Sequence, residues 1–504
     1  MVVDNFINGF FLAVSWPVII WMILGLLLGI FIGALPGMGP SLGMAIVLPL
    51  TIALDPSSAI ILLIGIYSGA MYGGSIAAIL INAPGTAAAA ATTFDGYPMS
   101  RRGESVTALS ISACSSAIGG AAAMLVLLLL VPLLTDIVLL FGPPEFFMAA
   151  IAGIALISVV SQGSIIKGAI AGSFGLLIST IGISPVSSDQ RFTLGSLSLY
   201  DGLSFIAVLI GLFALAEMIN LSIESGTVSK KSVNIQGSIS EGVKLSIRNP
   251  ITLIKSSFIG MAIGAIPGAG ASIANFFAYG EAKRADSDPD SFGEGNPKGV
   301  VAAESANNGC VAGSIIPAIS FGIPGSGATA VLIGGLIMHG IRPGPQMFGS
   351  DIDITYAMII GLLIGNIIIF LVGLSFVTKF GILTKIDTDY IIPIVIVLAM
   401  IGAFLLRRNW IDPATVFIFG IIGYSMKVYG YSLIAIVLGV VLGPIAEANL
   451  LRSLDISGGS WSIFYTRPVS IVLLVVTLVL VISPMIKISI SIIKRNNNNT
   501  ETAD

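Results

Sequence analysis

GALPGMG at 33–39 returns as GAIPGAG at 264–270, and GSIAAILINAPGT at 74–86 returns as GSIIPAISFGIPGS at 313–326. Each places proline and glycine inside an apolar run. Proline removes a backbone donor and disfavours helix at the residue before it, while glycine admits conformations closed to other residues. Leu35-Pro36-Gly37, Ala83-Pro84-Gly85, Ile266-Pro267-Gly268 and Ile323-Pro324-Gly325 are therefore each expected to interrupt a helix at depth. A third echo pairs VLIGLFALAE (208–217) with LGVVLGPIAE (438–447). All three run in the same order, about 230–240 residues apart, which reads as internal duplication.

The rest of the chain says where those breaks lie. Of its 504 residues 55% are hydrophobic and 10% charged, with a mean hydropathy of +1.01, against about 25% charged in soluble domains. Apolar stretches long enough to cross a hydrocarbon layer recur throughout. The expected fold is an all-α polytopic membrane protein with two sequence repeats, broken or re-entrant helices, and roughly 11–14 membrane segments in the lipid bilayer. The net charge of −3 and the lack of a basic block exclude nucleic acid as a partner. Cys114 and Cys310 stand alone in apolar surroundings and read as buried small residues.

The first transmembrane repeat is expected over 1–221 and the second over 251–454. A polar inter-repeat loop covers 222–250, a C-terminal transmembrane segment 455–493 and a disordered tail 494–504. Met1–Asn8 has no basic stretch, so Phe10–Ile32 is expected to stay as a membrane helix within a span near 11–33. Segments 37–54 and 268–280 are short and glycine-rich, which suits broken or re-entrant helices. Lys230, Lys231, Lys244 and Arg248 put the 222–250 loop on the cytoplasmic side, with Arg101, Arg102, Lys494 and Arg495. DGYPMSRRGE (95–104) reads as an ordered loop on that side.

An unwound backbone survives in a bilayer only where protein, water or ligand completes its hydrogen bonds. A helix restarting after a break offers free amides and a partial positive charge, an anion site that needs no Lys or Arg. Duplicated discontinuous helices of this kind form binding sites near the midplane of secondary transporters. Substrate-binding candidates are Asn82, Pro84, Gly85 and Thr86 with Asn307, Asn308, Pro324, Gly325, Ser326 and Thr329. Thr86 and Ser326 add hydroxyls directly after the breaks, while Gly85 and Gly325 allow a ligand close to the backbone. Pro36, Gly37 and Gly39 with Pro267, Gly268 and Gly270 are the candidates for a coupling cation held by carbonyls. Glu304, a carboxylate in the apolar VVAAESANNG, is a further ion-coupling candidate. Glu217 and Glu447 suit capping or interhelical pairing, and Arg191 suits an ion pair better than a carboxylate-binding vestibule.

GALPGMGPSLGMAIVLPLT (33–51), GIYSGAMYGGSIAAILINAPGTAAAAATTFDGYPM (65–99), RFTLG (191–195), VVAAESANNGCVAGSIIPAISFGIPGSGATAVLIGGLIMHGIRPGP (300–345) and LGVVLGPIAEANLLRSL (438–454) together resemble the large membrane subunit of the tripartite tricarboxylate transporter family. The resemblance runs nearly end to end. It implies an inner-membrane permease for tricarboxylates, dicarboxylates or related small carboxylates. A small four-span membrane subunit and a periplasmic solute-binding protein are the implied partners, and an ion gradient the implied drive. The family's two Gly-Pro regions fall here on Pro36–Gly39 with Asn82–Thr86, and on Pro267–Gly270 with Asn307, Asn308 and Pro324–Thr329. The sequence departs from the pattern at PGSGAT, where an Ala is expected after the Ser, and in the long DPDSFGEGNPKG stretch before Val300.

No cofactor is implied, and Na+ and H+ both stay open as coupling ion. Two other classes were weighed. An intramembrane serine hydrolase would use Ser326 with His339, the single histidine, yet no GxSxG, HExxH or Walker-type motif is present. A passive anion channel would conduct without gradient dependence. The reading taken is a transporter, not an enzyme.

Overall fold

Small residues decide how the helices pack. In a bilayer, association depends on close backbone approach, and glycines spaced four apart supply it. Gly25, Gly29 and Gly33 of one helix press against the backbones of Leu62, Ile66 and Ala70, while Gly65, Gly69 and Gly73 return the contact at Met22, Leu26 and Ile30. The same device recurs later. Gly260 and Gly264 meet Ala306 and Cys310, and Gly309 and Gly313 meet Ser257 and Met261.

These pairs belong to an all-helical chain, seen in a computed structural model that describes residues 2–160, 164–184, 188–223, 235–385 and 388–482. The helices are α1 (Val2–Val14), α2 (Val18–Gly33), α3 (Pro40–Val47), α4 (Pro56–Ile81), α5 (Ala90–Arg101), α6 (Ser105–Leu139), α7 (Pro143–Val160) and α8 (Ile165–Ser179). There follow α9 (Phe205–Leu209), which runs through a π-turn into α10 (Ala216–Ile223), then α11 (Ile239–Ile247), α12 (Pro250–Gly264), α13 (Gly270–Ala285), α14 (Pro297–Phe321) and α15 (Gly327–Met338). The series closes with α16 (Ile352–Ser375), α17 (Thr388–Arg407), α18 (Ile411–Val428), α19 (Leu433–Ile456) and α20 (Ile463–Thr466), and a last apolar helix covers Pro468–Ile482. The described strands are Gly182–Ile183 and Gln190–Arg191, paired antiparallel.

Among the described residues, α4, α6, Phe205–Ile223, α16, α18 and α19 are long and apolar enough to cross a membrane, and α1 with α2 adds a pair bent by 64°. Shorter apolar helices include Pro40–Ala53, α12 and α15. The molecule is a multi-pass helical membrane protein. Contacts group the chain into two compact units, Met1–Val138 with Ser204–Ser425, and Leu139–Leu203 with Met426–Asp504. All four Pro-Gly elements lie in the first.

Within the second unit, Gly175 and Gly439 let α8 and α19 meet backbone to backbone. Arg191 binds Glu447 through both terminal guanidinium nitrogens, at 2.8 and 3.2 Å, so this Glu ties the strand Gln190–Arg191 to α19 instead of pairing two helices. Arg467 pairs with the buried Glu145 at 2.5 Å. Both cysteines are buried and free.

Three local expectations change. The span near 11–33 is two helices, because Pro17 lacks the amide a continuous helix needs there. The 222–250 segment holds α11, capped by Ser238 and docked on α6, where Ser246 and Ser115 hydroxyls lie 3.2 Å apart. Residues 95–101, expected as loop, finish α5. Lys230, Lys231, Lys494, Arg495, the tail 494–504 and the end of the C-terminal segment (483–493) lie outside the described residues.

The packing can be tested with two glycines. A methyl on Gly69 would collide with the Leu26 carbonyl, whereas one on Gly280, in exposed α13, meets nothing within 4 Å. Gly69→Ala should lower stability by about 1–3 kcal/mol, and Gly280→Ala should raise it by about 0.5–1 kcal/mol. Thermal unfolding in detergent checks both; equal effects would contradict the packing.

Candidate functional site

The breaks come in two matched kinds. Helix α4 ends at Asn82, whose φ of 56° and ψ of 29° are left-handed, and α14 ends at Gly322 with 67° and 21°. The next amides, of Ala83 and Ile323, reach back to the carbonyls of Ala77 at 3.5 Å and Pro317 at 3.2 Å. This closure satisfies carbonyls that a helix end otherwise leaves bare. At the other kind of break, after α2 and α12, Gly37 and Gly268 take up φ of 78° and 77°, which Pro36 and Pro267 precede. These two glycines are where a left-handed turn demands the residue type.

Each break is then joined to two others. Gly85 donates to the Gly74 carbonyl at 3.0 Å and lies flat against the Gly33 carbonyl, joining the α4 break to the α2 break. Gly268 donates to the Gly325 carbonyl at 3.0 Å, joining the α12 break to the α14 break. Asn275 of α13 donates to the Ala88 carbonyl at 2.9 Å, in the turn before α5. Gly327, opening α15, faces Ser41 of α3, whose hydroxyl would stand 2.7 Å from a Cβ. Four contacts thus close a ring in which the α2 and α12 breaks stand opposite one another. Through it, α4 and α14 run antiparallel, since Tyr67 meets Ser314 at 2.7 Å while Asn307 donates to the Met71 carbonyl at 2.8 Å.

The hydroxyls after the breaks cap helices. Thr86 Oγ1 accepts from the Ala89 amide at 3.2 Å, and Ser326 Oγ from Thr329 at 3.2 Å, with Thr329 Oγ1 accepting in return from Ser326 at 2.8 Å. Ser326 Oγ is also 3.5 Å from Tyr67. Gly85 and Gly325 are packed against protein, with the Gly264 carbonyl and Ser314 both 3.0 Å from a Cβ on Gly325; Pro324 is buried beside it and Pro84 half-buried. By contrast, nothing lies within 4 Å of a Cβ on Gly39 or Gly270. Helix α3 follows Gly39 and opens on Pro40, which has no amide, and α13 opens on Gly270; neither has a side-chain cap, so the Ser41 and Leu42 amides of α3 and the first amides of α13 lack a capping side chain. Asn82 is exposed.

Asn307 and Asn308 lie mid-helix, about 21 Å along α14 from its own break. Both are buried. Asn308 donates to Asn366 of α16 at 3.2 Å, and among the described residues the side-chain oxygens of Asn307 and Asn308 accept nothing. Glu304, fully buried, accepts from Thr92 at 2.5 Å, Ser112 at 3.0 Å and Ser116 at 2.8 Å. Glu217 lies against the α2 break, with Oε1 3.2 Å from a Cβ on Gly37.

Sequence reasoning missed Tyr67, Thr92, Asn275, Asn366 and Asp95. Asp95, fully buried, takes the amides of Gly293, Gly295 and Asn296 on one oxygen, each at 2.8 Å, and so pins the long stretch before α14. Lys298 then holds Asp286 at 2.7 Å and keeps its carboxyl below the usual range. Ser112 and Ser116 had a readable signal: two hydroxyls at i and i+4 on one face of an apolar helix. The hydrolase pair does not form. Ser326 and His339 cap opposite ends of α15, about 20 Å apart, and His339 Nε2 sits 3.0 Å from Thr51.

Fold and site together define a polytopic membrane protein organised around linked helix breaks, the construction of a solute carrier. Residues 19–438 match the tripartite tricarboxylate transporter TctA family. Two relatives come from Agrobacterium vitis. One is an uncharacterized 52.8 kDa protein in the TAR-I ttuC' 3'region, 34% identical over 483 residues that make up 95% of each chain. The other is an uncharacterized protein in the TAR-II ttuC' 3'region, 33% identical over 223 residues, 44% of this chain and 92% of the relative. No solved structure matches the chain. The chain belongs to the tripartite tricarboxylate transporter TctA family, as the large membrane subunit of a multi-subunit transporter.

The contrast between packed and open glycines gives a direct test. Gly85→Ala should cost about 1–3 kcal/mol, because the methyl meets the Gly33 carbonyl. Gly39→Ala should leave the unfolding temperature unchanged, since φ −76° and ψ 175° suit alanine, while slowing uptake. The same loss of stability in both variants would contradict the geometry.

Proposed function

We propose that the ring of four breaks is the carboxylate site of an inner-membrane permease. It imports tricarboxylates, dicarboxylates or related small carboxylates, driven by a Na+ or H+ gradient. The observation that carries the reading is the pair of uncapped helix starts at Gly39 and Gly270, on opposite sides of the ring. Each offers backbone amides and the positive end of a helix dipole to one carboxylate. A substrate with two or three carboxylates matches two such ends. This arrangement supports moving the coupling-cation candidates Pro36–Gly39 and Pro267–Gly270 to the anion's two ends.

Around them, Asn82–Thr86 and Pro324–Thr329 complete the lining, with the Thr86 hydroxyl as a donor, while Thr329 gives its own proton to the Ser326 carbonyl. The family's tripartite organisation supports pairing with a four-span membrane subunit and a periplasmic solute-binding protein, and on this reading selectivity rests in large part on the delivering protein.

Uptake of labelled citrate and succinate by cells expressing the chain with those partners tests the reading. Accumulation should stop when the sodium and proton gradients are both collapsed, and His339→Ala should accumulate substrate as the parent does. Flux indifferent to the gradients would mean a passive channel instead.

A further inference from the structure

We propose that Glu304 carries the coupling proton, in a closed basket of hydroxyls contributed by Thr92, Ser112 and Ser116. The inference rests on the transporter reading above and narrows its driving ion.

Glu304 sits in the middle of α14 with no exposed surface. Three hydroxyls from two other helices converge on its two oxygens. Among the described residues no Lys, Arg or His pairs with it. An intramembrane carboxylate without a cation is costly as an anion, and such a group keeps its place by neutralising itself. The hydroxyls touch the carboxylate at direct hydrogen-bond distance, 2.5 to 3.0 Å. A metal ion between them would have to push them apart, whereas a proton needs no room. Hydroxyls also serve both forms, because each can donate to the carboxylate or accept from the acid. On protonation the new O–H on Oε2 donates to Ser112 or Ser116, and that hydroxyl turns its own hydrogen elsewhere. On release the hydroxyl turns back.

Position links this acid to the substrate. Thr92 lies in the first turn of α5, six residues beyond Thr86 at the α4 break. The matching place beyond the α14 break holds only neutral hydroxyls, those of Ser326 and Thr329 with Tyr67 and Ser314. The α4 side of the ring therefore carries a titratable acid that the α14 side lacks, and Glu217 stands against the α2 break.

The surroundings leave this titration to Glu304. Tyr72 of α4 is a buried neutral phenol near enough to feel the charge of Glu304. Asp95 of α5 is engaged by three amides, and Lys255 of α12 and Arg284 of α13 both pair with Glu281 of α13. On α6, Cys114 is the ionisable residue near the two serines.

The test uses the complete membrane complex in proteoliposomes, with a pH dye inside and citrate delivered from outside in sodium-free buffer. The parent should acidify the lumen as citrate enters. Glu304→Gln, which mimics the protonated acid, should keep citrate–citrate exchange and lose both net uptake and acidification. Ser116→Ala removes a donor that favours the carboxylate, so the acid keeps its proton to higher pH, and the uptake profile should move alkaline by about one pH unit. If Glu304→Gln does not fold, that shift alone decides, and an unmoved profile overturns the proposal. Acidification persisting in Glu304→Gln also overturns it, as does exchange lost from a folded Glu304→Gln. A parent that exchanges citrate but accumulates it only with sodium, without acidification, refutes the proton and leaves the transporter. No exchange at all refutes the transporter reading itself.

Discussion

A backbone amide or carbonyl inside a bilayer has no water to turn to, and the rest of this structure depends on how four helix breaks meet that demand. Left-handed closures at Asn82 and Gly322 satisfy part of it. The breaks satisfy more through Gly85 folding back onto Gly74 of its own helix and Gly268 donating to Gly325 of the α14 break. What is left over is specific. Helices α3 and α13 start without a side-chain cap, and space lies open beside Gly39 and Gly270.

Glycine serves opposite ends in this economy. Along α2, α4, α12 and α14 it removes side chains so that backbones can touch, which keeps the scaffold rigid. At Gly39 and Gly270 it leaves backbone uncovered, where a ligand is the natural neighbour. The scaffold must be stiff for the second use to work, because amides held in place bind an anion without reorganising. Glu304 fits the same logic, since a buried acid held by three hydroxyls from two helices ties its protonation to the position of α5 and α6.

Much of this was legible in the chain itself. Proline and glycine write their conformational effect locally, so the four breaks and the short helices after two of them could be read from residues 33–39, 74–86, 264–270 and 313–326. Glu304 announced itself by standing alone in apolar surroundings. The partners of these residues could not be read, because Thr92, Asn275 and Asn366 become neighbours only through tertiary packing. Identical Pro-Gly pairs also concealed different fates: Gly85 lies against the Gly33 carbonyl, while Gly37 lies beside the Glu217 side chain. Ser326 and Thr329, read as ligand donors, form a capping box that their spacing of three already allowed. Asp95 looked like part of a polar loop because its three amide partners lie 198 to 201 residues away.

A structure of the complex with citrate bound tests the central claim most directly. The account predicts two citrate carboxylates within hydrogen-bond reach of the backbone amides that open α3 and α13, on opposite sides of the ring. Citrate held instead by side-chain cations away from the breaks, such as Arg191, would contradict it.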